Sequence, residues 1–359
     1  MVRIFGWSVG FTVAVLAGAL WLGGPEVLVI VAILGILEVS LSFDNAVVNA
    51  TILERMSEWW QRIFLTVGIL IAVFGMRLLF PLLIVAVTAG LGPAQVLDLA
   101  LNDPDAYEAA LTQAHPAIAA FGGMFLGMIF LDFFLQSREH KWIIWIERPL
   151  ARLGGIESLS IVVALCGLLA AARWLAGEEA ATVLTSGLLG VITYLAVNGL
   201  AAFFETSADP GDEDAAGISG PARAAQGAVA TGKAAFFLFL YLEVLDASFS
   251  FDGVIGAFAI TSNIFVIAAG LGIGAMYIRS FTVFLVRRGT LAEYVYLEHG
   301  AHYAIGALAV LLLFTISHEV PEVVTGLIGV GFILLAFVSS VIRNRRTGTE
   351  VAPVLTGPS

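Results

Sequence analysis

Residues 246–258 read "DASFSFDGVIGAF" and place two carboxylates, Asp246 and Asp252, inside a run that is otherwise hydrocarbon. Residues 38–50, "EVSLSFDNAVVNA", repeat the pattern. Laid over one another without gaps, Glu38 falls on Asp246, Ser42-Phe43-Asp44 on Ser250-Phe251-Asp252, and Asn45 on Gly253. A charge near the centre of a bilayer costs at least about 2.5–3.5 kcal/mol on insertion scales, so four such acids must be compensated. The basic residues in apolar runs are Arg77, in "GMRLLF", and Arg279, in "YIRSFT". Four acids against two arginines leave a surplus of two negative charges if all are ionised, which one divalent cation neutralises. Carboxylates, the Asn45 amide, the Ser42 and Ser250 hydroxyls and freed backbone carbonyls are hard oxygen donors. They suit Mn²⁺, Ca²⁺ or Mg²⁺ rather than thiolate-seeking metals. When the ion leaves, a carboxylate takes up a proton, because unpaired like charges raise each other's pKa. The competing reading is that the acids are protonated or paired with the arginines and only tie helices together.

Weaker candidates surround this set. Glu243 lies one turn before Asp246, where the first copy has Gly35; Asn49 lies one turn beyond Asn45, and Asp132 sits near the inner end of an apolar run. His299 and His302 read as an interfacial helix start rather than a metal pair, and His115-Pro116 as the beginning of a span. Cys166, alone in an apolar run, offers neither a disulfide nor a thiolate cluster. With no phosphate-cradling Gly-rich loop and no Ser/His/Asp set, neither ATP hydrolysis nor acyl transfer is expected, and the chain does not read as an enzyme.

The elements that must position these residues are membrane helices. In 359 residues, 59% are hydrophobic and 13% charged, and the mean hydropathy is +0.96. Soluble domains carry about 25% charged residues, so an integral membrane protein is implied. The net charge of −11 argues against a nucleic-acid partner. A window of about 20 residues yields ten spans near 6–23, 26–52, 62–90, 116–136, 156–174, 181–205, 232–261, 263–287, 301–317 and 321–342. The first lacks a good small-x-small cleavage site and reads as an uncleaved helix. Residues 91–115 form an acidic loop, 206–231 a Gly/Ala/Asp-rich linker, and 343–359 a disordered tail. A first half thus covers 1–205 and a second 232–342, although the fifth-from-last helix, 181–205, precedes the linker. With the N-terminus inside, 14 of the 17 Lys and Arg residues fall on the inner side, Arg173 alone outside, and Arg77 and Arg279 within the membrane. That distribution follows the positive-inside rule and puts both termini in the cytoplasm, with the chain in the plasma membrane. Trp142 and Trp145, beside the basic 138–152 segment, fit interfacial anchoring or plain packing.

The acid motifs fall on spans two and seven, and the arginines on spans three and eight. Spans five apart run in opposite directions, so the expected architecture is an all-α polytopic membrane protein built as two inverted five-helix repeats. Secondary transporters with such repeats bind substrate at the midplane, often on interrupted helices. At 100° per residue Glu38, Ser42 and Asn45 share one face while Asp44 points about 120° away. Either the helix breaks near Ser-Phe-Asp or each aspartate turns to a neighbour such as an arginine. Gly253 and Gly256 ease a break in the second copy.

"EVSLSFDNAVV" resembles the Glu-x-x-x-Ser-x-Asp-Asn signature of the TerC family of integral membrane proteins, and "DASFSFDGVIGAFAIT" resembles that family's Asp-led second copy. "HPAIAAFGGMFLGMIFLDFF" is similar to a longer TerC-like branch, and the resemblance spans most of residues 26–342. It implies metal-ion transport, chiefly Mn²⁺ efflux, and carries a tellurium-resistance label. It further implies that Glu38, Asp44, Asn45, Asp246 and Asp252 carry the site. One departure is Asp252-Gly253 where the family often has Asp-Ser, which removes a possible hydroxyl ligand. The expected function is therefore a secondary exporter of a divalent cation, with protons as a coupling ion. The alternative is a non-transporting scaffold or stress-response partner. An organic or anionic substrate is disfavoured by the charge surplus.

Overall fold

A chain that buries its apolar runs in lipid must satisfy every backbone polar group within the segment, which favours helices. The computed structural model is 88% helical and has no strand among the described residues, which are 2–41, 43–136, 140–154, 156, 158–208, 229–258, 260–261, 263–288 and 293–347. Ser42 lies outside this set, as do the side chains of Asp44, Ser250 and Asp252.

Helix α1 (Val2–Leu41) is broken at Gly24, whose φ of 74° and ψ of −170° are open to glycine alone at no steric cost, just before Pro25. It is followed by α2 (Phe43–Leu53) and α3 (Glu58–Leu70). A nine-residue stretch of wide π turns, Ile71–Leu79, then carries Arg77, and α4 (Phe80–Thr88) continues from it. The remaining helices are α5 (Pro93–Asn102), α6 (Pro104–Leu135), α7 (Ile144–Leu153), α8 (Leu159–Trp174), α9 (Ala180–Ala208), α10 (Gly232–Phe258), α11 (Ile264–Arg288), α12 (Leu297–Thr315) and α13 (Glu322–Thr347). Among the described residues, seven helical stretches are long and apolar enough to cross a bilayer: Phe5–Val39, Glu58–Val87, Pro104–Leu135, Gly177–Ala201, Ile264–Arg287, Leu297–Thr315 and Val324–Arg346. Helix α10 is also long, at 27 residues, but Glu243, Asp246 and Asp252 interrupt its apolar character.

Several expected boundaries are corrected. The acidic 91–115 segment is mostly helix, and the span expected at 116–136 begins at Pro104. Asp103 caps it, its carboxylate accepting from Ala106 N at 3.2 Å, and Pro104 sits in the first turn, where its missing N–H costs nothing. Pro116 is inside α6 rather than at its start. What holds this segment is apolar: Val96, Ala100, Tyr107 and Leu111 are buried against Leu34, Val85, Val254 and Ile267. The basic 138–152 segment contains α7, an amphipathic helix that exposes Trp145 while Trp142 packs on Tyr303. At the C-terminus α13 runs on to Thr347, past the expected edge at 342. Asn344 donates to the Glu293 carbonyl at 2.9 Å and Arg345 and Arg346 complement the helix dipole. Of the expected linker, residues 206–208 continue α9, and 229–231 return beside the α2–α3 turn, where Ala230 N donates to Arg55 O (2.8 Å) and Ser57 N to Ala230 O (3.0 Å).

Two helix pairs set the position of the site. Helices α1 and α11 pack along their length, at a spacing possible because Gly270 and Gly274 present no side chain to α1. Helix α6 packs between α9 and α12 and forms the largest core with Met124, Phe125, Met128 and Ile129. Helix α10 touches both groups.

Candidate functional site

The acidic end of α1 enters the protein beside α11. A Cβ at Gly274 would overlap Glu38 Cβ and Cγ, so the glycine is what lets Glu38 lie flat against α11. One carboxylate oxygen of Glu38 meets Arg77 Nη2 at 2.5 Å. The other faces Gly253 of α10, where a Cβ would stand 3.0 Å from Oε2. Gly253 is thus the residue that leaves room for this carboxylate. Arg77 is 2% exposed and also donates from Nη1 to Ala72 O at 2.6 Å. Ala72 is five residues back, within the π turns, so the guanidinium braces the wide stretch from inside.

The second arginine is seated differently. Arg279 donates to the backbone carbonyls of Phe64 and Gly68, both at 2.9 Å, and lies 3.7 Å above the Phe64 ring. Glu243 lies 3.8 Å from it, and the charge of Asp246 also acts on it. A side chain at Gly68 would crowd Arg279 and Glu243. Glu243 was the weaker candidate because the first copy has no acid at its position. Its one-turn spacing from Asp246 is the signal that would have raised it, since residues three apart share a helix face.

Asp246 has a different contact. Its Oδ1 accepts from Asn45 Nδ2 at 2.7 Å, joining α10 to α2 across 201 residues of sequence. Among the described residues, its buried Oδ2 has no hydrogen-bond partner, and neither amide atom of the fully buried Asn49 has one. Orphaned buried polar groups cost about 1–3 kcal/mol each, so they mark positions where polar ligands are accommodated. Glu38, Asn45, Arg77 and Asp246 are therefore brought into one buried region with Glu243 and Arg279. Among the described residues no three acidic, histidine or cysteine side chains gather closely enough to form a metal centre. Asp44 and Asp252, with Ser42 and Ser250, complete the expected ligand set but fall outside the described side chains. The helix carrying the second motif runs unbroken from Gly232 to Phe258, through Gly253 and Gly256.

Three other expected residues have structural partners. Asp132 accepts from Tyr194 at 2.6 Å, linking α6 to α9. His302 Nδ1 donates to the Glu298 carbonyl and its ring stacks 3.6 Å from Phe133. His299 Nε2 meets His140 O at 2.9 Å and lies 3.5 Å from Glu147, which also accepts from the N–H groups of Trp142 and Ile143. The histidine pair thus anchors the start of α12 to the α6–α7 connection.

At the end of α2 Arg55 pairs with Glu298 at 3.4 Å. Burial, with the Glu298 charge nearby, lifts Glu54 from 4.5 to about 7. A raised carboxyl pKa means that folding favours the protonated form. Its contribution is therefore most favourable below pH 4.5 and is lost as pH rises through about 7. Glu54→Gln is expected to stabilise the protein above pH 7 by on the order of 1 kcal/mol, after allowing for solvent screening of this partly exposed group, and to have no effect near pH 4.5. Unfolding temperatures of both forms across pH 4.5–8 measure it; a constant difference across that range refutes it.

Helices long enough to cross a bilayer, surrounding two buried guanidinium–carboxylate pairs and an interhelical Asn–Asp contact, define an all-helical integral membrane protein with a charged interior. The chain belongs to the family described as Protein of unknown function (DUF475), which it matches over residues 43–347. It matches no functionally curated protein and no solved structure.

Proposed function

We propose that this protein is a secondary exporter of a divalent cation, Mn²⁺ above Ca²⁺ or Mg²⁺, working by alternating access in the plasma membrane. The observation that carries the reading is Asp246, buried, held through one oxygen by Asn45 of the other half and without a hydrogen-bond partner at the other oxygen among the described residues. Glu38 and Glu243 already face arginines. Asp246, together with Asp44 and Asp252 of the same doubled motif, is then the charge that a dication offsets, with Asn45 and Asn49 supplying neutral oxygens. Choice of Mn²⁺ rests on the TerC resemblance, since ligand hardness alone does not separate these three ions. In this reading ten spans form two inverted five-helix halves, 1–205 and 232–342, joined by a cytoplasmic linker at 206–231. Both termini, including the 343–359 tail, lie in the cytoplasm. Protons are the coupling ion, returning to a carboxylate when the cation leaves.

The test is efflux of labelled Mn²⁺ from vesicles. Asp44→Asn and Asp252→Asn are each expected to slow it at least about tenfold, the scale of one lost charged ligand; parent-like rates in both remove the site. A second reading, a membrane scaffold or tellurium-resistance-type partner, is favoured by Glu38–Arg77, Glu243–Arg279 and Asp132–Tyr194 tying helices together. Under it the same substitutions lower folded yield and leave the cell's Mn²⁺ sensitivity unchanged.

A further inference from the structure

Beside the buried pairs, the protein has an open groove of about 580 Å³ between the starts of α3 and α10, lined by Ser57, Trp59, Trp60, Gly232, Lys233 and Phe236. It is held open by the backbone bonds that join residues 55–57 to Ala230, which set the first turns of the two helices side by side. We infer that this groove binds the headgroup of an anionic phospholipid.

Three observations select that occupant. The walls are aromatic and face outward: Trp59 is 61% exposed and stands edge-on to Trp60, which in turn packs on Phe236 and Phe239. Trp and Phe so placed suit the level of glycerol and upper acyl chains. The rim is positive: Lys233 lies in the first turn of α10, and the acid of the neighbouring turn, Glu58, is neutralised by Arg62 at 3.3 Å. Both helices also begin at this rim, α3 after Ser57, whose side chain makes no capping bond, and α10 at Gly232, whose φ is 56°. Two positive dipole ends and a lysine above an apolar, aromatic slot complement a phosphodiester on a diacyl chain. A purely anionic solute would leave the aromatic wall unused, and a zwitterionic lipid would gain nothing from the rim. The site is remote from the proposed cation ligands, so it stands or falls independently of transport.

The experiment uses the full chain in neutral detergent, with added phosphatidylglycerol, phosphatidylcholine or inorganic phosphate. Thermal unfolding and native mass spectrometry are the readouts. Phosphatidylglycerol is expected to raise the unfolding temperature more than phosphatidylcholine and to remain bound in the mass spectrum. Lys233→Gln is expected to raise the half-saturating phosphatidylglycerol concentration about fivefold, the weight of one interfacial lysine, and Lys233→Arg to restore it. Trp59→Ala, at an exposed position, is expected to weaken retention of both lipids. Equal stabilisation by the two lipids, an unchanged lipid preference in Lys233→Gln, or full stabilisation by inorganic phosphate alone would each overturn the assignment.

Discussion

Substituting Arg77 by Met is expected to cost about 3–5 kcal/mol of stability, the penalty for leaving a buried carboxylate without its partner. Glu38 is 4% exposed and its Oε1 is held by Arg77, while the side chain packs closely over Gly274 of α11 and Gly253 of α10. The same substitution removes the donor that engages Ala72 O inside the π turns. Glu38→Gln is expected to be milder, and the pair Glu38→Gln with Arg77→Met to recover most of the loss, because a charge left alone is what is costly. Denaturant unfolding in lipid micelles of the three variants measures this cycle. Additive losses would mean that the two side chains do not act as a pair.

Asp246→Asn is expected to change function and spare the fold. An asparagine there still accepts from Asn45 Nδ2, so the α2–α10 contact survives. What disappears is the charge. Removing one member of a buried charge pairing costs about 2–5 kcal/mol, so cation efflux is expected to fall by about 100-fold while the unfolding temperature moves little. Vesicle efflux and thermal unfolding on the same preparations separate the outcomes. A stable variant with parent-like efflux would remove Asp246 from the proposed site, and a collapse in folded yield with unchanged metal sensitivity would favour the scaffold.

The charged interior was legible in the sequence because ionisable residues inside apolar runs are expensive and so announce themselves. Glu38, Asp246, Arg77 and Arg279 all proved buried. Their partners were not legible. Which acid meets Arg279 depends on how α10 is rotated and on Gly68 leaving room for Glu243, and neither is written in the pattern of either helix. The π turns at Ile71–Leu79 leave no periodic trace either, since the stretch is apolar on every side except at Arg77. Residues 91–115 were misjudged for a different reason. Asp98, Asp103, Asp105 and Glu108 gave the segment the look of a loop, yet Asp103-Pro104 is a helix start signal and Val96, Ala100, Tyr107 and Leu111 fall on a buried side. His299 and His302 do fall in the first turns of α12, where their rings meet the His140 and Glu298 carbonyls.

Arg77 takes its counter-charge from a side chain, whereas Arg279 leans mainly on main-chain oxygens. Peptide carbonyls do not titrate. One guanidinium is therefore moored chiefly by main-chain dipoles of α3, and the other by a carboxylate of α1 together with the Ala72 carbonyl. A displacement of α3 would therefore loosen Arg279, whereas a displacement of α1 would loosen Arg77.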